Sequence, residues 1–330
     1  MTPAEQYAAY IDSLDWPSYD NHVDMINAAQ IPEYILNQMS TEDLVEAFLN
    51  YPLSVDLIAW NSYGQGFDAV KSQFNGLDEL VNREDGAQKL LEKLQSFSAI
   101  TKFDVNSRSF DSSQYMHPYF LEVLLAQPEF MNQFTEEETE EAIAIIDGII
   151  EQRDPEIYGD SAYRFYQAAN EQIETYYYMT VVATPGGNYA EAKVRGTGDV
   201  EIDIESTTDF YISQYPNANF RRTATNRYNC HSYAWYSQAI NNYWINNCEP
   251  YLNDGTCHST GEFKVGTRVV YYDSTLSANG FSPYGHSALV QPGSPSRYVV
   301  SKWSEGPLME HTMSYCPYYN SNVTLYYYNY

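Results

Sequence analysis

The segment Arg227-Tyr228-Asn229-Cys230-His231-Ser232-Tyr233-Ala234-Trp235-Tyr236 concentrates reactive side chains. After it, Tyr236, Ala239, Ile240, Tyr243 and Trp244 recur at the spacing of one buried helical face. That pattern predicts a helix with Cys230 in its first turn and Asn229 as N-cap. Unpaired backbone N–H groups and the helix dipole favour an anion there, so the thiol pKa is expected to fall. The same N–H groups could hold the oxyanion of an acyl-transfer intermediate. A thiolate nucleophile needs a base, and His286 is the candidate, at the head of the strand-like Gly285-His286-Ser287-Ala288-Leu289-Val290. A third group should orient the imidazole from the next strand. Ser301 can accept a hydrogen bond there and is the first candidate; Lys302 cannot accept when protonated, and Glu305 and His311 remain open from the following loop. The scheme requires a sulfur that solvent can reach; one bridged or walled off ends it.

Other chemistry competes for the same side chains. Cys248 and Cys257 lie nine positions apart around Pro250 and an Asp254-Gly255 turn, which favours a disulfide over catalysis. A Cys230–Cys316 bridge would abolish the nucleophile; Cys316 is otherwise a buried or free thiol. Zinc is a further alternative through Cys257, His258 and Cys248, His286 or Cys316, but no CxxC or HExxH spacing supports a metal site. His231 is read as packing or capping, and His22 and His117 as surface or core histidines. Tyrosine supplies 33 of 330 residues, so runs such as Tyr176-Tyr177-Tyr178 and Tyr326-Tyr327-Tyr328 are expected at half-buried sheet positions. Trp235 and Trp303, which flank the proposed centre, are better candidates for a substrate groove.

The elements that position these groups fall in the last third of the chain. Arg268-Val269-Val270-Tyr271-Tyr272 and Arg297-Tyr298-Val299-Val300-Ser301-Lys302-Trp303 read as strands on either side of the His286 strand. Upstream the chain reads as helical. Ser40-Thr41-Glu42-Asp43 resembles a capping box, and Leu90, Leu91, Leu94 and Phe97 repeat at helical spacing. Thr135 and three glutamates open another helix with Ala142, Ile145, Ile146 and Ile149 on its apolar face. Helix continues over 160–179 through Tyr163, Tyr166, Ala169 and Ile173. Pro32-Glu33-Tyr34 before a capped helix is echoed by Pro128-Glu129-Phe130, as repeated helical pairs of an α-solenoid would be. Thr184-Pro185-Gly186-Gly187 marks a turn, and Glu191 to Arg195 and Val200 to Glu205 alternate as strands do. The expected organisation is α+β: an acidic helical domain over 1–180, a β-rich connection over 181–214 and a second α+β domain over 215–330.

Charge follows the same division. Residues 1–180 carry 32 acids and 8 bases and residues 181–330 carry 12 and 9, so nearly all of the net −27 lies on the helical part. Such a surface argues against binding nucleic acid or anionic membranes, and a strongly acidic solvated face usually serves solubility. No apolar run is long enough to span a membrane. The first thirty residues lack a secretory pattern, and Met1-Thr2-Pro3-Ala4-Glu5-Gln6 reads as the start of a trimmed chain whose numbering omits a signal peptide.

The order of cysteine helix, histidine strand and polar next strand is the layout of papain-like cysteine hydrolases. Asn229 to Trp235, then Gly285-His286-Ser287-Ala288, Ser301-Lys302-Trp303 and His311 through Cys316-Pro317-Tyr318 resemble the NlpC-type and CHAP-type amidases, in particular secreted proteins of Gram-positive bacteria. The resemblance covers about residues 215–330. It implies a papain-like domain, a secreted or cell-surface location, and cleavage of amide bonds in cell-wall peptides through a cysteine thioester. It also implies Cys230 as nucleophile, His286 as base, and Asn229, with Tyr228 beside it, as a substrate or oxyanion contact. No metal or organic cofactor is needed. The chain lacks the Asp-Cys-Ser-Gly segment of better-known members and an obvious carboxylate or carboxamide after His286. Two other readings fit the sequence: a non-catalytic interaction protein with a degenerate hydrolase-like domain, and a transglutaminase-like acyltransferase.

Overall fold

A computed structural model describes residues 1–105, 110–170, 177–195, 200–274, 276, 282–319 and 322–328. The described residues up to 170 are built of helices and their connections, for the reasons the sequence carries. Ser40 caps helix Thr41–Leu49 in a reciprocal box with Asp43, and Thr135 caps Glu136–Glu151 in the same way with Glu138. The apolar face of Gly86–Gln95 buries Leu90, Leu91 and Leu94. Gly86–Gln95 also packs on Ser113–Leu125, whose Tyr119 to Leu125 are all buried. The Pro-Glu-aromatic echo has a structural counterpart: each copy is a one-turn helix, Glu33–Leu36 or Pro128–Met131, followed by a capped longer helix.

The connecting segment is only half as expected. Strands β1 (Tyr177–Ala183) and β2 (Tyr189–Arg195) form a hairpin, joined at β2 by the short β4 (Trp244–Ile245). Val200 to Glu205 is not a strand; Glu201–Gln214 is a helix. Its buried Ile202, Ser206 and Phe210 lie four apart, as do Thr207 and Tyr211, and Glu201 and Asp203 occupy the first turn where the dipole favours acids. Helix over 160–179 likewise stops at Arg164–Ala169, and Ile173 and Tyr176 lie outside the described residues.

The last third forms an antiparallel seven-stranded sheet in the order β3-β9-β8-β7-β6-β10-β5. The strands are β3 (Asn219–Arg222), β5 (Cys257–Ser259), β6 (Arg268–Tyr272), β7 (Tyr284–Leu289), β8 (Tyr298–Lys302), β9 (Leu308–Thr312) and β10 (Val323–Tyr328). The three strands expected around the histidine are thus β6, β7 and β8. Residues on one sheet face, Val269, Tyr271, Ala288, Val299 and Met309, join one hydrophobic cluster with the N-terminal helices. The helical and sheet-bearing parts therefore share a core. No helix among the described residues is long and apolar enough to cross a membrane.

Candidate active site

Asn229 does what its position suggests. Its Oδ1 accepts from the Ser232 backbone N–H at 3.2 Å and from that of Ile245 at 3.1 Å, and its Nδ2 donates to the Ile245 carbonyl. Cys230 opens a short helical stretch that becomes a π-turn over Ser232–Tyr236 and ends there. The expected continuation to Trp244 does not form: Tyr236 and Ile240 are exposed, and Trp244 is in β4. Side-chain amides stop the helix, since Gln238 Nε2 donates to the Tyr233 carbonyl at 2.7 Å and Asn242 Nδ2 to that of Ser237 at 2.5 Å.

The Cys230 sulfur is sealed, with the residue 2% exposed, so in this closed form it lacks the solvent access that the hydrolase scheme requires. Burial pushes its thiol pKa up to about 12, against the opposing pull of the Ser287, His231 and Cys230 backbone N–H groups and the Lys302 ammonium. The expected depression is therefore reversed: the N–H groups are present, but desolvation outweighs them.

His286 is fully buried on β7, and neither ring nitrogen has a hydrogen-bond partner among the described residues. Its ring stacks on Tyr318, with centroids 3.6 Å apart, and tilts against Tyr271. Burial, then the neighbouring His311 and His231, push its pKa well down. Cys230 and His286 share neighbours, since Ser287 N–H points at the sulfur and Tyr318 senses it, but no hydrogen bond joins the two. The reason lies in strand parity. Ser287 takes the face toward the cysteine helix, with its Oγ 2.8 Å from His231 Nδ1 and 3.0 Å from the donating Trp235 Nε1. His286, one residue earlier, turns to the face that packs on the N-terminal helices.

Ser301 does not orient His286. Its Oγ lies 2.7 Å from His311 Nε2. His311 Nδ1 donates to the Thr312 carbonyl at 2.8 Å, which leaves Nε2 to accept the Ser301 proton. Trp303 Nε1 donates to the same hydroxyl at 3.0 Å. Glu305 is also engaged elsewhere, with Arg195 at 2.6 Å and the Tyr119 and Tyr63 hydroxyls. Burial would raise its pKa, yet the Arg195 guanidinium holds it below the usual carboxylate range. Lys302 is buried with its ammonium on the Thr225, Ser304 and Gly306 carbonyls, and it pins the turn after β8 to the chain leading into Asn229.

The expected substrate contacts are packed inside. Tyr228 stacks on Tyr233 in a cluster with Leu289, Val300 and Leu308. Trp235 packs on Tyr251 and Tyr328, and Trp303 on Tyr211 and Tyr215. All four cysteines are free thiols, so the Cys248–Cys257 bridge is not formed. Cys248 is buried beside the Ser287 side chain, whereas the Cys257 thiol donates to the Tyr251 carbonyl at 3.4 Å. Among the described residues no group of three or more His, Cys, Asp or Glu side chains is placed to hold a metal ion.

Sequence reasoning missed three parts of this site. Ser287 is the polar hub beneath the cysteine helix. Tyr318 covers the imidazole. Residues 59–61 come from the helical part, where Asn61 Oδ1 accepts from Asn229 Nδ2 at 2.9 Å and the Ala59 carbonyl accepts from the Tyr318 hydroxyl. Comparison with protein-family models, with curated proteins and with solved structures finds no match to this chain.

Proposed function

We propose that the chain is a cysteine-dependent amide hydrolase of the NlpC/CHAP kind. Its papain-like domain spans about residues 215–330, and the helical part, whose Pro-Glu-aromatic echo fits a short solenoid, closes over the centre. One observation carries this reading: a fully buried imidazole with both nitrogens unpaired among the described residues shares Ser287 and Tyr318 as neighbours with a sulfur that three backbone N–H groups address. Leaving a buried polar group unsatisfied costs about 1–3 kcal/mol. An apolar side chain under Tyr318 would avoid that cost, so His286 is better explained by chemistry than by packing.

In the reaction, the Cys230 proton passes to His286 and the sulfur attacks the amide carbonyl carbon. The C–S bond forms, the tetrahedral oxyanion meets backbone N–H groups, and the C–N bond breaks as His286 protonates the leaving amine. Water deprotonated by His286 then attacks the thioester carbonyl, the C–S bond breaks, the acid is released and His286 returns the proton to the sulfur. Cell-wall peptides are the substrate class implied by the resemblance, and a secreted or surface location goes with it.

The sealed sulfur and its raised pKa favour a second reading, a non-catalytic interaction protein with a hydrolase-like module. Purified cell-wall peptides incubated with wild type and Cys230→Ala separate the two. Release of new amino groups by wild type alone supports hydrolysis. Equal release by Cys230→Ala removes the mechanism.

A further inference from the structure

The bend over residues 59–62 links the turn Ser54–Ile58 to the helix Tyr63–Gln73, far from Cys230 in sequence. It is held by the centre itself. The Tyr318 hydroxyl donates to the Ala59 carbonyl, the Ser304 hydroxyl donates to the Trp60 carbonyl, and Asn229 Nδ2 donates to Asn61 Oδ1. Trp60 meets Tyr318 edge-on at 5.2 Å, and Tyr318 is the ring stacked on His286. Its indole also lies over Gly285, where an added Cβ would come within 3.0 Å of the ring. Trp60 is buried, yet its Nε1 has no hydrogen-bond partner among the described residues.

We infer that residues 59–62 are an internal blocker seated in the substrate groove of the proposed amidase, so that this chain is a latent enzyme opened by displacing them. The inference rests on the amidase reading. Two successive main-chain carbonyls of this bend, those of Ala59 and Trp60, accept hydrogen bonds from the Tyr318 and Ser304 side chains, so its backbone is held by side chains of the sheet-bearing part. Removing the bend frees two hydroxyls and a carboxamide as donors, a set suited to a peptide backbone. The burial of Cys230 is then a property of the closed state. The two unsatisfied groups, the Trp60 indole and the His286 imidazole, mark the contact as one that can be given up.

Site-resolved alkylation tests this on the full chain. Iodoacetamide labelling is followed by mass spectrometry at Cys230, Cys248 and Cys316, all buried in the closed form. In native protein, Cys230 should label at least about tenfold faster than the other two, because a local opening reaches it. Asn61→Ala removes one of the three hydrogen bonds holding the bend and should accelerate Cys230 about fivefold. Cys248 and Cys316 should not change. Trp60→Ala should act more strongly, and if it fails to fold, the native and Asn61→Ala rates still decide. The blocker is refuted if all three thiols label at one rate with one denaturant dependence and Asn61→Ala leaves their ratio unchanged. The amidase reading fails separately. If Cys230 opens as expected but reacts like an ordinary thiol, with no change on His286→Gln, the bend covers a site that is not a hydrolase centre. If Cys230 stays sealed while native protein cleaves amides in a Cys230-dependent way, hydrolysis stands and the blocker falls.

Discussion

Acidification below pH 6.5 should unfold this protein before its carboxylates protonate, because its core holds neutral histidines. Burial pushes His231, His311 and His117 from the ordinary 6.5 down to about 4. In each, desolvation outweighs nearby groups that favour the charged form: the Tyr284 backbone for His231, Thr312 and Glu310 for His311, and Asp111 and Glu46 for His117. The sign follows from linkage. These histidines are neutral in both states above pH 6.5, where their stability contribution is fully present. Below it the unfolded chain takes up protons that the folded chain refuses until about pH 4. With His286, which burial also holds well down, four such groups remove about 5 kcal/mol per pH unit once the unfolded imidazoles are charged, and about 6 kcal/mol between pH 6.5 and 5. Total stabilities of about 5–15 kcal/mol make that loss large. Glu305 and Glu310, held low in the fold, act in the same direction but only as pH falls below about 4.5, so the upper window isolates the histidines. Urea midpoints by circular dichroism from pH 8 to 4.5 give the slope directly. His231→Asn should flatten it by about one quarter relative to wild type. A change of less than about 1 kcal/mol between pH 6.5 and 5 would refute the argument that desolvation governs these groups.

Other expectations follow from particular contacts. Gly66→Ala should lower stability by more than about 3 kcal/mol in urea unfolding, because the new Cβ would fall 1.9 Å from the Leu57 carbonyl oxygen, a backbone atom that cannot step aside. Thiol titration in denaturant without reductant should count four thiols per chain; two would mean that one disulfide forms after all. Glu122→Leu leaves the buried Arg153 guanidinium without its carboxylate and should cost about 3–5 kcal/mol, most of it recovered in the Glu122→Leu/Arg153→Met double variant.

The helical part was readable because its signals are local. Ser40 with Asp43 and Thr135 with Glu138 are complete caps within four residues, and the faces they start are long enough to show a period. The errors arose where a short window satisfied two periods. Val200 to Glu205 alternates like a strand for six residues, and only Phe210, Tyr211 and Gln214 beyond it reveal the helix. The helix from Cys230 failed for another reason. Tyr236 to Trp244 keeps the apolar spacing of a helical face, yet Gln238 and Asn242 take carbonyls that further turns would have used.

At the candidate centre the boundary between legible and illegible is sharper. Asn229 is an N-cap because of what lies three residues ahead, so sequence alone could assign it. Strand parity also lay in the sequence: of the adjacent His286 and Ser287, only one can face the helix that starts at Cys230. Which one does so depends on the partner surface. Tyr271 and Tyr318 provide an aromatic slot for the imidazole on one side, and His231 and Trp235 provide polar ring nitrogens for the hydroxyl on the other. No local pattern encodes that choice. The same holds for the bend over residues 59–62, whose three hydrogen bonds go to Asn229, Ser304 and Tyr318, each more than 160 positions away. A cysteine followed by a histidine strand specifies the groups a hydrolase would use. Under the blocker proposal, whether they are open to solvent depends on the contact of residues 59–62 with Asn229, Ser304 and Tyr318, which Asn61→Ala weakens without altering the residues it covers.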